Sequence, residues 1–282
     1  MAYGRNIYYD QSVYINGSEI KGVQSFDGNW SVPNTPMLAA GYEFVGTEIE
    51  GELVGEVSVS RQIVSSSDPI PNLIGSPING YLLYGPNHSR NKSFNFNQGY
   101  ITSFQSSCAV GEVATSDFSL TAYGGIGSGN ITNTSYTPIT PTVALANSMT
   151  LNTSFGSTNA IQSYDFDLSL NVRPIYKMGD MFVPSDFEIE SPLASKVNFT
   201  ITADEYEIKN LFNSICSTDF IENLSITLNE KCDGPEITSF SFNGAKLVDS
   251  SISADIGNNL TINLGYEKYY SNASDAKNSI FS

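Results

Sequence analysis

Basic residues are scarce in this chain. Against 29 Asp and Glu it carries 13 Lys and Arg and one His, for a net charge of -16 at pH 7. A nucleic-acid binder uses Lys and Arg to displace counterions from the phosphate backbone. Their scarcity argues against tight nucleic-acid binding and against adhesion to an anionic membrane. It is compatible with nucleic acid sliding past without sticking. No apolar run approaches a membrane span. The start, MAYGRNIYYDQ, reads as neither a signal peptide nor a transit peptide. Cys108, Cys216 and Cys232 are an odd count with no CxxC pair, which points away from a disulfide framework or a zinc site. A Cys216–Cys232 bridge is open, but three thiols in a reducing compartment is the preferred reading. The N-x-S/T sequons, such as Asn130-Ile131-Thr132, then reflect composition and not glycosylation.

The signatures of catalysis are also missing. The single histidine, His88, lies in a polar loop, Gly85-Pro86-Asn87-His88-Ser89-Arg90, where the expectation is a solvated side chain. There is no GxSxG, HExxH or phosphate-cradling GxxxxGK[ST]. Gly124-Gly125-Ile126-Gly127-Ser128-Gly129 is glycine-rich but is followed by neither helix nor lysine, so it reads as flexible linker. The expectation is a protein that is not an enzyme and that needs no cofactor or metal.

What the chain does contain is a repeat. QSFDGNWSVPNTPMLAAGYEFV at 24–45 returns as QSYDFDLSLNVRPIYKMGDMFV at 162–183. At a spacing of 138, nine of the 27 positions from 24 to 50 are identical, where ordinary composition gives about two. Val59 meets Val197, and Ile70, Leu73 and Ile74 meet Ile208, Leu211 and Phe212. Near the end of each half the spacing slips by two, ITSF occurring at 101–104 and at 237–240. A duplicated domain follows, with a first unit at 1–140, a second at 141–282, and the Gly-, Ser-, Thr- and Pro-rich stretch 124–141 as an extended linker.

Within each unit the dominant signal is period-two alternation, the mark of a half-buried strand. Gly55-Glu56-Val57-Ser58-Val59-Ser60-Arg61, Phe118-Ser119-Leu120-Thr121-Ala122-Tyr123 and Val197-Asn198-Phe199-Thr200-Ile201 all show it. The repeated motif is a strand that ends at Pro36 or Pro174, since a proline cannot donate to a ladder and marks a strand end or a free edge. The second unit begins with a strand at 149–151, partner in kind of 13–15. One short helix is expected per repeat: a full one at 204–215, and a shorter one at 69–74 cut off by Gly75 and Pro77. The loop 65–79 and the tail after Tyr270 read as polar and mobile. Tyr8, Tyr9, Tyr269 and Tyr270 read as packing on neighbours or covering sheet edges, with sugar stacking as the functional alternative.

Gly22-Val23-Gln24-Ser25 with its strand, proline and Gly41 resembles a pattern in tail tube proteins of tailed bacteriophages. So does Tyr100-Ile101-Thr102-Ser103-Phe104 followed by Ala109-Val110-Gly111-Glu112-Val113-Ala114-Thr115. The second half departs, since no Val-Gly-Glu follows Ile237-Thr238-Ser239-Phe240. The resemblance implies an all-β fold of two tandem tail-tube-like β-sandwich or barrel domains. Copies would join their sheets into a ring, and rings would stack into a tube for DNA passage. Because the chain carries two such domains, three copies would make a ring of pseudo-sixfold symmetry. The implied partners are the chain itself, tail-tip or baseplate and tail terminator proteins, tape measure protein, and transiting DNA without tight binding, with no membrane. The implied location is the virion tail, assembled in the host cytoplasm. The rivals are a tail-tip hub or distal tail ring, and, in another class, a β-rich carbohydrate-binding adhesin.

Glu48, Glu50 and Glu52 alternate with Ile49 and Gly51, and Asp186, Glu188 and Glu190 alternate with Phe187 and Ile189. Residues two apart on a strand share a face, so each unit presents a stripe of three carboxylates. The stripe is either a solvated outer face or a lumen lining that repels DNA in a narrow channel. A calcium site ranks last, since no Asp/Asn/Gly loop surrounds it.

Overall fold

A computed structural model of the chain describes residues 11–31, 34–37, 46–49, 54–64, 68–84, 92–129, 149–153, 156–158, 161–178, 184–202, 221–230, 234–254 and 260–281, with side chains outside 34–37, 46–49, 128–129, 153 and 156–158. The described residues are mostly β-strand, as the alternation predicts. In the first half these are β1 (Ser12–Ile15), β2 (Ser18–Ile20), β3 (Val23–Ser31), β4 (Asn34–Met37), β5 (Gly46–Ile49), β6 (Val54–Gln62), β7 (Ile78–Tyr84), β8 (Lys92–Ala109), β9 (Thr115–Ala122) and β10 (Ile126–Gly129). The second half holds β11 (Met149–Thr153), β12 (Gly156–Thr158), β13 (Ile161–Ser169), β14 (Val172–Ile175), β15 (Asp186–Ile189), β16 (Leu193–Thr202), β17 (Ile221–Asn229), β18 (Glu236–Ser253), β19 (Thr261–Tyr270) and a helix, α1 (Ala273–Ile280).

Every pairing in the first half except that of β10 with β8 recurs in the second. The antiparallel chain β2–β1–β7–β8–β9–β6–β3 is matched by β12–β11–β17–β18–β19–β16–β13, and the ribbon β4–β5 by β14–β15. Even the irregularities correspond. A bulge separates Val23 from Ser25 on β3, and another separates Ile161 from Ser163 on β13. On β8, Gln98 takes a positive φ of 50°, and its N–H donates to the Asn79 side chain at 2.9 Å. On β18, Gly244 has φ of 78°, and its N–H donates to Asn223, also at 2.9 Å. A bulge re-aims a strand. Here it lets one 18-residue strand serve two neighbours in turn, β7 then β9 in the first half and β17 then β19 in the second.

These registers correct the spacing read from the sequence. The 138 spacing holds for β3 and β13, but it has grown to 146 at β8 and β18, where Gln98 matches Gly244. The ITSF match is therefore false. Phe240 is the counterpart of Phe94, not of Phe104, because SFNFNQG at 93–99 aligns with SFSFNGA at 239–245. By the same count Ile256-Gly257-Asn258 falls where Val110-Gly111-Glu112 does, though 255–259 lie outside the described residues.

Apolar positions of the alternating strands make one buried cluster running through both halves. Phe166 on β13 sits at its centre, with ring centroids 5.9 Å from Phe104, 5.6 Å from Phe240 and 4.9 Å from Phe242. Full burial of such a ring contributes roughly 2–3 kcal/mol. The Phe26–Phe94 contact in the first half is the counterpart of Tyr164–Phe240 in the second.

Four expectations need correction. The tail after Tyr270 is not a loose polar end. Asn272 caps α1 by accepting the Asp275 N–H at 2.8 Å, Asp275 accepts the Ser271 N–H at 3.1 Å, and Ala276 and Ile280 are buried. Phe281 then packs on Phe104 and Phe240, tying the halves together. The 65–79 loop holds a 3-10 turn at Ile70–Leu73, with Ile70, Leu73, Ile74 and Ile78 buried and Asp68 paired to Arg61. Ile126–Gly129, within the supposed linker, pairs with β8, because Gly125 adopts a φ of 91° and turns the chain back. The repeated strand does not run to Pro36 or Pro174: β3 and β13 end at Ser31 and Ser169, and the prolines sit in the next strands, β4 and β14, of ribbons that are two-stranded among the described residues, where one side is free as a proline requires. The helix expected at 204–215, the rest of the linker, His88, Cys216, Cys232, Tyr8 and Tyr9 lie outside the described residues.

Candidate functional site: a polar sheet face and two open edges

The two halves meet by sheet pairing. From Ser163↔Ala109 to Ser169↔Ser103, β13 runs antiparallel to β8. Backbone bonds of 2.8 Å from Val110 N to Gln162 O and from Leu170 N to Thr102 O extend the junction at both ends. The result is a continuous eight-stranded sheet in the order β3–β6–β9–β8–β13–β16–β19–β18.

Side chains alternate across it. One face is the core: Val57, Val59, Phe118, Leu120, Phe104, Phe166, Leu168, Val197, Phe199 and Leu264 are buried. The other face is polar. One cross-strand row reads Lys246, Glu267, Lys196, Asp167, Gln105, Asp117, Ser60 and Ser25, each opposite the next. Asp249, Asp165, Asp27 and Glu56 share this face, so carboxylates outnumber its two lysines, Lys196 and Lys246. Lys196 and Glu267 form an ion pair at 3.0 Å that raises the lysine's pKa and lowers the glutamate's. Gln105 donates to Asp167 at 3.0 Å. Partial burial, then the neighbouring Asp167 charge, raises the Asp165 carboxyl. Short Ser, Thr and Asn side chains fill the remaining positions, as in the Thr200–Asn263–Ser251 chain at 2.8 and 3.2 Å.

The stripe picked out by sequence lies elsewhere. Asp186, Glu188 and Glu190 are exposed on β15 and the residue after it, in the β14–β15 ribbon and not in the eight-stranded sheet. Glu188 stands opposite Arg173, and Glu190 accepts from the Asn171 side chain. The ribbon's inward residue Phe187 packs on Tyr100 and Tyr123 of the first half at 4.3 and 5.1 Å. In the first half Glu48 lies in β5 opposite Thr35, while Glu50 and Glu52 fall outside the described residues. Pairing makes Glu48 the counterpart of Glu188, a spacing of 140. The β14–β15 loop is two residues longer than its counterpart, so Gly46 stands where Asp186 does. The acids of the sheet face were missed because each strand carries only one or two. Cross-strand register, which sequence alone does not supply, assembles them.

At its two ends the sheet is open. Among the described residues β3 pairs only with β6, and 247–253 of β18 pair only with β19. No cluster of His, Cys, Asp and Glu able to hold a metal occurs among the described residues, and no helix there is long and apolar enough to cross a membrane. Compared with known proteins, the chain matches no protein-family profile and no curated protein sequence.

Proposed function

We propose that this chain is a non-enzymatic structural subunit of a bacteriophage tail tube. In this reading it is two tandem β-sandwich domains, divided near residue 140, whose fused inner sheets form one wall segment of a ring. The observation that carries the reading is the eight-stranded sheet, shared by both halves and ending in two edges that are unpaired among the described residues. An open edge is a template for pairing with another chain, and head-to-tail pairing closes into a ring when the rotation permits. Three copies give the pseudo-sixfold arrangement that the duplication suggests. The polar, mainly acidic face of the sheet then lines the lumen. Low-dielectric walls strengthen its repulsion of DNA, so a strand passes without adhering. The ribbon carboxylates, Asp186 to Glu190, lie off this face, so the lining is assigned to Asp27, Glu56, Asp117, Asp165, Asp167, Asp249 and Glu267.

Negative-stain electron microscopy and native mass spectrometry of concentrated protein test this. Open rings of three chains, each of 30.5 kDa, or stacked tubes are expected. Rings of six chains overturn the trimer. Particles of one chain that persist even with tail-tip complexes as seeds overturn the tube reading.

A further inference from the structure

The internal β13–β8 junction serves as a template for the two open edges. We infer that β3 of one copy pairs antiparallel with 249–253 of β18 in a second copy, in the register that β13 and β8 use within the chain. This rests on the assembly reading above. Transferring the observed pairs through the two halves' matched positions sets Asp27 opposite Ser253, Gly28 opposite Ile252, Asn29 opposite Ser251, Trp30 opposite Ser250 and Ser31 opposite Asp249.

Three observations support it. The first is burial. Leu168 and Ser106 of the internal junction are 0% and 1% exposed, whereas their counterparts Trp30 and Ile252 are 61% and 45% exposed. Large apolar side chains left open at both ends are what an unfilled interface presents.

The second is volume. Inside the chain Phe166 opposes Ser106 and Leu168 opposes Phe104. In the inferred junction Gly28 opposes Ile252 and Trp30 opposes Ser250. At the first position the bulk crosses to the other strand and a large residue still faces a small one; at the second, where two large residues meet inside the chain, Trp30 alone supplies the bulk against Ser250. On the polar face Asp27 and Asp249 each meet serine, so no like charges stand opposite each other.

The third observation concerns the ribbon. Phe187 of β14–β15 covers Tyr123, which is 6% exposed and whose hydroxyl donates to Val172 O at 3.3 Å. The counterpart of Tyr123 is Tyr269, which is 61% exposed. β4–β5 follows β3 as β14–β15 follows β13, so the pairing that seats β3 on β18 also carries a ribbon to Tyr269.

Trp30 is the chain's single tryptophan, so its fluorescence reports this edge alone. Emission should shift to the blue as the parent chain assembles on concentration, and acrylamide quenching should fall several-fold. W30A should weaken association by about thirtyfold or more, as for a central aromatic anchor. N29C combined with S251C, in a mixture of light and heavy isotope-labelled chains treated with a short thiol cross-linker, should give 29–251 linked peptides of mixed label. Assemblies with unchanged Trp30 emission and no mixed 29–251 peptide would overturn this register while leaving the tube reading in place. Linked peptides of a single label only would show the contact to be internal and overturn it as well. Failure to assemble even with seeds would overturn the underlying reading itself.

Discussion

Glu222, the second residue of β17, stands at the place that Ile78 holds in β7, and it is 5% exposed. Its Oε2 has no hydrogen-bond partner among the described residues. Burial raises its pKa above the usual 4.5. Tyr266 is raised too, by its own burial first and by the Glu222 charge second. As pH climbs from about 4.5, the unfolded chain releases this proton before the folded one does. The unfolded state is then favoured, so the Glu222 contribution to stability falls as pH rises through the folded pKa and levels off above it. A buried group without a partner costs about 1–3 kcal/mol, more if charged. E222Q keeps the shape and removes the charge, and E222I restores the residue of the first half. Both should melt several degrees above the parent at pH 7, at about 2–4 °C per kcal/mol for a chain of this size. The gap should close as pH falls to 4.5. Calorimetry in dilute solution from pH 4.5 to 8 measures it. Melting of both variants at or below the parent temperature at pH 7, with the parent's pH slope retained, would refute the reasoning.

Other substitutions probe single contacts. D68A leaves Arg61, 5% exposed, as a buried charge without its carboxylate. It should cost about 3–5 kcal/mol in urea unfolding, and D68N, which keeps an acceptor for the Ile70 N–H, should cost less. Burial, then the Glu112 charge, pushes the Cys108 thiol up to about 11. At pH 8 on the order of one in a thousand is thiolate, so alkylation of the Cys108 peptide, read by mass spectrometry, should be slow until urea unfolds the chain. N272A removes the α1 cap and should cost about 1 kcal/mol, with faster amide exchange at Ala276. D165K combined with D167K should leave folding intact and give assembled particles a salt-sensitive retention of DNA, measured by filter binding, that the parent lacks.

Much of the fold was legible because its signals are local. Alternation located strands such as β6, β9 and β16, whose inward residues are the predicted ones. The duplication was legible where the two copies keep the same length. It was misread at ITSF because Ile101 and Phe104 lie beyond the β8 bulge while Ile237 and Phe240 precede the β18 bulge. A four-letter match carried no information about which neighbour each strand faces. The helix α1 has a readable signal, Asn272 three residues before Asp275 with Ala276 and Ile280 four apart, but its polar composition masks that signal and suggests a loose tail. The acidic face was not legible, because it exists only once eight strands are laid in register.

On the proposed assembly, divergence between the halves has a physical consequence. Had the two copies stayed identical, β3 of one chain could compete with β13 of another for the same β8 edge. The observed residues oppose that exchange. Were β3 to replace β13, Gly28 would face Ser106 and leave empty the volume that Phe166 now fills at 0% exposure. Trp30 would face Phe104, two large rings where Leu168 now sits, and overfilling a packed core costs about 1–3 kcal/mol. The reverse exchange fails as well, since Phe166 against Ile252 sets bulk against bulk. Discrimination would then come from the mispairing being bad as much as from the inferred pairing being good. This yields a sharper test than assembly alone. Replacing Gly28 with Phe and Trp30 with Leu recreates the β13 face on β3, although Phe94 atoms lie 2.8 and 2.9 Å from the position of a residue-28 Cβ and must give way. W30L alone avoids that clash. It should let β3 compete for β8 without restoring the fit to Ser250, so mixed-label cross-links between residues 29 and 105 should appear where the parent shows none. Their absence, with 29–251 links undiminished, would show that bulk at these positions does not select the partner edge.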